Sequence, residues 1–198
     1  MKHALIVGHP DPNSFTMALA KAYQEALLAP EHTHVLRDLY SLDFDPRVRL
    51  SEIANREHWA SAPDVVAERE ILRDVDVFTF IYPLWFSSPP AIIKGYIERV
   101  FGADFGYTQH PDGTMTPLLS GRQLLHISAS GSRHAWLNEQ GLWSSLYTLF
   151  DEYFGLLCGM RVHPRIHFDS IVPGLERRWL SENLITLQTK VQSYFARA

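Results

Sequence analysis

The order of strand-like and helix-like stretches constrains this chain more than any other feature. "ALIVG" at residues 4–8 is a continuous apolar run, as a strand buried on both faces requires. "VDVFTFIYP" (75–83), rich in β-branched and aromatic residues and closed by Pro83, is the clearest strand. "HVLRDLY" (34–40) and "QLLHISAS" (123–130) add two more, and "RVHPRIHF" (161–168) a fifth, broken or ended near Pro164. Helical patterns run between them. From Ser14 to Leu28, Phe15, Leu19, Ala22, Tyr23, Ala26 and Leu27 recur at helical spacing, and Pro30 supplies the stop. Further helices are expected over 64–74, 89–101, 143–157 and 175–196. In the second of these, Pro89 or Pro90 sits in the first turn and Lys94 and Glu98 form an i,i+4 pair. Ile92, Ile93, Tyr96, Ile97 and Val100 cover more than one face of that helix, more than packing on one sheet needs, so a second copy is expected there. Strands alternating with helices in this way imply an α/β fold with a parallel sheet covered on both faces. Residues 41–62, with a short helical piece, and 102–120 read as long loops, which in a compact domain tend to be functional.

A chain of 198 residues, 46% hydrophobic and 20% charged, is expected to form one globular domain over 1–198 with a full core. The net charge of −4 gives no broad electrostatic reason to expect nucleic acid or an anionic membrane, and Arg177-Arg178 is too short a run to argue a basic patch. Cys158 is the only cysteine, so an intrachain disulfide and a thiolate metal cluster are both excluded. Its setting, "FGLLCGM", suits a buried, inert thiol. The strand-like "HALIVG" is too short for the apolar core of a signal peptide, and no run approaches the ~18 apolar residues of a membrane span. A cytoplasmic protein is the expectation.

Ligands of open parallel sheets bind beyond the carboxyl ends of the strands, where the strand order reverses. Three segments follow the first, third and fourth strands: "GHPDPNSFT", "YPLWFSSPPA" and "SASGSRHAW". The first offers helix N-terminal N–H groups around Ser14, Phe15 and Thr16, capped by Asn13 or Ser14, with His9 as a further donor. It admits two readings, a phosphate seat or a capped helix beside a surface histidine. Neither G-x-G-x-x-G nor G-x-x-x-x-G-K-[ST] is present. The second segment sets Trp85 and Phe86 in a loop where they can wall a flat ring system. In the third, small residues from Ser128 to Ser132 let backbone N–H groups approach a planar ligand. Ser130 and His134 raise a serine-hydrolase alternative, but the G-x-S-x-G frame is absent. The ten histidines, His32/His34 and His163/His167 among them, show no H-E-x-x-H or carboxylate-supported cluster, so no metal is expected.

The stretches "ALIVGHPDPNSFT", "PDVVAE", "YPLWFSSPPAIIKGYIERVF", "DFGYT" and "SASGS" together resemble the flavodoxin-like NAD(P)H:quinone oxidoreductases, over roughly residues 3 to 160. The resemblance implies a five-stranded doubly wound sheet in the order 2-1-3-4-5, with flavin at the strand ends. It also implies a homodimer whose two sites each borrow residues from the partner. On it, His9, Ser14, Phe15 and Thr16 seat the flavin phosphates. Leu84, Trp85, Phe86 and Ser87 wall the isoalloxazine ring, and Ser128, Ala129, Ser130 and Gly131 form the rim near its pyrimidine edge. The implied chemistry is hydride transfer from NAD(P)H through flavin N5 to a quinone or another flat small-molecule acceptor. FAD is the implied flavin, with FMN the alternative. The chain departs from the family where a Tyr and a His follow the small-residue loop, since the corresponding positions hold Trp136 and Trp143. Gln109 stands where a second aromatic is expected after Tyr107. Either Arg133 or His134, with Arg133 the better candidate, is expected to supply positive charge in place of the missing pair. A flavin-binding regulatory, ancillary or electron-carrier protein is the alternative to an enzyme.

Overall fold

A computed structural model describes residues 1–27, 31–54 and 59–195. The chain runs β1 (Lys2–Val7), α1 (Phe15–Ala26), β2 (Thr33–Asp38), α2 (Pro63–Leu72), β3 (Val77–Pro83) and α3 (Ala91–Val100). It continues through a hairpin of β4 (Tyr107–Gln109) and β5 (Met115–Pro117), then β6 (Gln123–Ala129), α4 (His134–Glu139) and α5 (Leu142–Tyr147). A π turn (Thr148–Tyr153), α6 (Phe154–Cys158), β7 (Arg161–Val162), β8 (Ile166–Phe168) and α7 (Arg177–Phe195) complete it. Leu28, Pro30 and Ala198, residues 55–58 of the expected 41–62 loop, and the expected end of the last helix at 196 lie outside the described residues.

The main sheet is parallel, in the order β2-β1-β3-β6-β7, with β8 also paired to β6. It holds six strands rather than the expected five, because Pro164 splits the last run. Arg161 and Val162 pair with the start of β6, while Ile166 to Phe168 pair with its end. A proline offers no N–H to a ladder, and the chain steps out of register around it. β2 stops at Asp38 because the N–H groups of Tyr40 and Ser41 turn back onto its carboxylate (3.2 and 3.3 Å).

Alternation along the buried strands divides the core in two. Ala4, Ile6, Phe78, Phe80 and Leu124 pack with Ile93, Tyr96 and Phe154 from α3 and α6. Leu5, Val7, Val77, Ile81, Leu125 and Ile127 pack with Leu19, Tyr23, Leu187 and Val191 from α1 and α7. Gly8, at the exit of β1, lies so close to α3 that a Cβ there would stand 2.6 Å from Ile93 Cγ1.

Segment 41–54 covers the outer side of α3. Phe44 meets the Tyr96 ring at 5.0 Å, and a Cβ on Gly95 would fall 2.1 Å from the Pro46 carbonyl oxygen. Arg99 fastens this cover, its buried guanidinium donating to Glu52 Oε1 (2.9 Å), Asp64 Oδ2 (2.7 Å) and the Asp45 carbonyl (2.6 Å). Ile92, Ile93, Tyr96 and Val100 are buried within the chain and Ile97 packs half-buried against the same core, so their spread around α3 is accounted for within one copy. Two further elements arise where loops were expected: the β4–β5 hairpin, closed by Asp112 on the N–H of Thr114 (2.9 Å), and α4. No helix among the described residues is long and apolar enough to cross a membrane.

Candidate functional site

The exits of β1, β3 and β6 lie side by side, since Val7 pairs with Ile81 and Pro83 with Ala129. The strand order reverses between β1 and β3, and a cavity of about 520 Å³ opens there. His9, Ser14, Phe15 and Thr16 line it from the first segment, Leu84 and Trp85 from the second, and Ala129, Ser130 and Gly131 from the third. Its remaining wall is Ile171 to Leu175 with Leu180, a stretch between β8 and α7 that carries no motif.

The β1–α1 turn is built for an anion. The Asp11 N–H donates to His9 Nδ1 (3.0 Å), so the neutral ring carries its proton on Nε2 and has a donor to spare. Ser14 caps α1, accepting from the N–H of Met17 (3.3 Å), and the first turn contains no acidic residue. The N–H groups of Phe15 and Thr16 precede the first intrahelical bond and point out of the helix start. Asp11 also reaches the cavity, with Oδ1 accepting from the Asn13 N–H (2.8 Å).

Trp85 stands half-exposed opposite, its ring 5.9 Å from His9. It opens a tight turn in which Trp85 and Ser88 exchange backbone hydrogen bonds (3.0 and 3.1 Å). Phe86 and Ser87 occupy the tip at φ 50° and 56°, the left-handed region, at a cost of about 1–2 kcal/mol each. They lie outside the cavity lining, and the Phe86 ring is fully exposed.

The third segment is held from behind. Leu84 donates its N–H to the Ala129 carbonyl (2.7 Å), and Ser130 N–H donates to that of Phe168 (2.9 Å). Among the described residues no protein group accepts from the N–H of Gly131 or Ser132. Ser128 lies one step behind the rim, fully buried, because alternation along β6 turns it away from the face that carries Ala129. Arg133 and His134 begin α4 and are exposed, as is Trp136, and none of the three lines the cavity. The His134 ring packs edge-on against Trp143 at 4.5 Å. Tyr107 lies on β4, half-buried near Cys158 and Tyr153, away from the cavity.

A hydrolase arrangement is not formed. Ser130 Oγ meets His167 rather than His134, and its proton goes to the Ser132 carbonyl (2.8 Å). Burial pushes the Cys158 thiol up to about 12. No group of three or more His, Cys, Asp or Glu among the described residues could hold a metal ion.

The donor set fits a phosphorylated, ring-bearing cofactor: an uncompensated helix N-terminus and His9 for the anion, Trp85 for a ring face, and small residues with free N–H groups for a ring edge. Strand parity was the available signal that Ser128 and Ala129 face opposite sides. For the 171–175 wall the sequence offers none.

A family model described as flavodoxin-like fold matches residues 1–190. An uncharacterized NAD(P)H oxidoreductase of Haemophilus influenzae is 31% identical over 147 residues, covering 74% of this chain and 72% of that protein. NAD(P)H dehydrogenase [quinone] 1 of Rattus norvegicus is 31% identical over 150 residues, covering 67% of this chain, which spans 55% of the rat protein. The structure of an NAD(P)H:quinone oxidoreductase from Methanothermobacter marburgensis superposes with a TM-score of 0.83 at 23% identity, covering 98% of each chain, a likeness of fold. The chain thus belongs to the flavodoxin-like family in which these NAD(P)H oxidoreductases and quinone reductases are found.

Proposed function

We propose that this chain is a flavin-dependent NAD(P)H oxidoreductase acting on quinones or similar flat acceptors. The observation that carries the reading is the convergence of three strand exits on one cavity, whose lining combines anion donors, a ring wall and a free N–H group. A bound flavin would supply the hydride-transfer chemistry between NAD(P)H and the acceptor. The protein holds the phosphates with His9, Phe15 and Thr16, stacks on the ring with Trp85 and faces its edge with Gly131. FAD is favoured over FMN on the family resemblance, and FMN is the alternative. The whole chain acts as one flavin-binding domain.

Purified protein is expected to be yellow, to release a flavin identifiable by mass, and to consume NAD(P)H with a soluble quinone. A colourless protein that binds neither FAD nor FMN on addition refutes the proposal. Flavin without steady-state turnover favours an ancillary or electron-carrier role, for which the absence of Arg133, His134, Trp136 and Tyr107 from the cavity wall argues.

Trp85→Ala is expected to weaken flavin binding roughly 10-fold or more, on the scale of a lost aromatic stacking contact. The unfolding temperature should hardly move, since the side chain is already 43% exposed. Equal losses of both in a fluorescence titration and a thermal melt make Trp85 a packing residue only.

A homodimer is proposed on different residues from those of α3. Leu149, Tyr153 and Leu156 recur at i, i+4 and i+7 along the π turn and α6, and all are exposed, Leu156 at 76%. Trp136 is exposed as well. An apolar helix face of this kind suits a second copy. Light scattering at micromolar concentration should give a dimer, and Leu156→Glu a monomer. A wild-type monomer refutes it.

A further inference from the structure

The hydrogen bonds behind the cavity rim all run one way. Arg165, buried, donates Nη1–H to Tyr82 Oη (3.0 Å) and to Ser128 Oγ (3.4 Å). Ser128 Oγ lies 2.9 Å from His167 Nδ1, and His167 Nε2 lies 3.1 Å from Ser130 Oγ. Ser130 in turn donates to the Ser132 carbonyl at 2.8 Å. A serine hydroxyl has one proton. With that proton on the Ser132 carbonyl, Ser130 can only accept from His167. Nε2 therefore carries the ring proton, Nδ1 is bare, and Ser128 donates to it. Bonds aligned in this way polarise one another in a low-dielectric interior. The ring packs at a tilt against Trp143 at 5.1 Å, with His134 at 6.1 Å.

We infer that His167 is a positioning residue of the cavity. Held as the neutral Nε2–H tautomer, it couples the buried Arg165 charge to Ser130. It thereby fixes the 130–132 turn so that the N–H group of Gly131, which lines the cavity, stays free for the electron-rich edge of a bound flavin ring. The inference rests on the flavin reading above and assigns to β8 a task that the missing Tyr/His pair leaves open. The charged and titratable groups facing His167 are Arg165 on the same segment, His134 from α4 and Asp169. Burial foremost, then Arg165 and His134, push its imidazole down to about 4, with Asp169 and a backbone hydrogen bond to Ser128 opposing. It stays neutral across the physiological range.

Nitrogen-15 NMR of histidine-labelled, flavin-free protein should show His167 as a neutral Nε2–H ring from pH 8 to 5. An Nδ1–H ring, or one charged at pH 6, overturns the inference whether or not the protein takes flavin. The second measurement equilibrates FAD-loaded protein with a redox dye at fixed poise. His167→Phe keeps the ring against Trp143 but has no hydrogen bonds, and should lower the ratio of reduced to oxidised flavin ~10-fold, the scale of one or two lost buried hydrogen bonds. His167→Gln, whose amide offers both an acceptor and a donor, should restore it to within ~3-fold. An unchanged ratio in His167→Phe, or a Gln variant as defective as Phe, overturns the inference while leaving the flavin reading intact. A wild-type protein that takes no flavin sinks the flavin reading, and with it the role at the ring edge.

Discussion

Replacing Arg165 with alanine is expected to lower the unfolding free energy by about 3–5 kcal/mol, the cost of leaving one member of a buried ion pair alone. Its guanidinium donates to Asp151 Oδ2 through Nε (3.1 Å) and Nη2 (2.5 Å), and both side chains are almost wholly inaccessible. Among the described residues Asp151 Oδ1 already has no hydrogen-bond partner, so the variant leaves the buried carboxylate without its ion pair. Burial raises Asp151 to about 6 even with Arg165 pulling the other way, so the pair is intact at neutral pH. The double variant Arg165→Met, Asp151→Leu should recover most of the loss, because it removes both charges together. By contrast, Lys94→Ala, which breaks the exposed Lys94–Glu98 pair, should cost roughly 1 kcal/mol or less. Urea denaturation of the four proteins decides it, and an Arg165→Ala midpoint equal to that of Lys94→Ala refutes it.

Acid should unfold the protein well before its carboxylates titrate. Burial holds His3 down at about 3, helped by His32 and the N-terminal charge and opposed by Asp76. His167 sits at about 4, and burial with Arg165 holds His126 far below the ordinary value. The unfolded chain takes up these protons near 6.5, whereas in the folded chain His167 takes one only near 4 and His3 near 3, with His126 held well below its ordinary value. The stability is therefore complete above 6.5 and is lost as pH falls toward 4. His167 alone accounts for roughly 3 kcal/mol over that range. Asp151 works in the opposite direction, since its raised value lets the folded chain bind a proton first as pH drops below 6. One carboxyl cannot offset three imidazoles. Thermal melts at pH 7.5, 5.5 and 4.5 should show a steep fall, flattened in His3→Phe. A melting temperature that holds constant to pH 4.5 contradicts the account.

The sheet was legible because β1, β3 and β6 are buried on both faces, and no other environment tolerates runs such as "ALIVG". What escaped sequence reasoning lacked a repeating signal. Phe44 and Pro46 sit in an irregular segment, so their cover over α3 was invisible, and the helix's extra apolar residues pointed to a second copy instead. Strands of three residues, as in β4 and β5, are too short for period two to show. In the site, the phosphate turn and Trp85 were readable from their position after strands. His167 was not, because its partners Ser128 and Ser130 come from another strand, and a histidine inside "RVHPRIHF" looks like any core or solvated imidazole.

The proline that divides the last strand has a consequence for how copies of this chain meet. An unbroken eight-residue strand beside β6 would present a long row of unpaired N–H and C=O groups, a template onto which a second sheet could add. Here that margin is reduced to two residues and then three, with Pro164 between them unable to donate. Sheet-to-sheet growth into fibres is disfavoured on this side. Pro164→Val should therefore show itself less in the monomer's fold than in slow aggregation of concentrated samples.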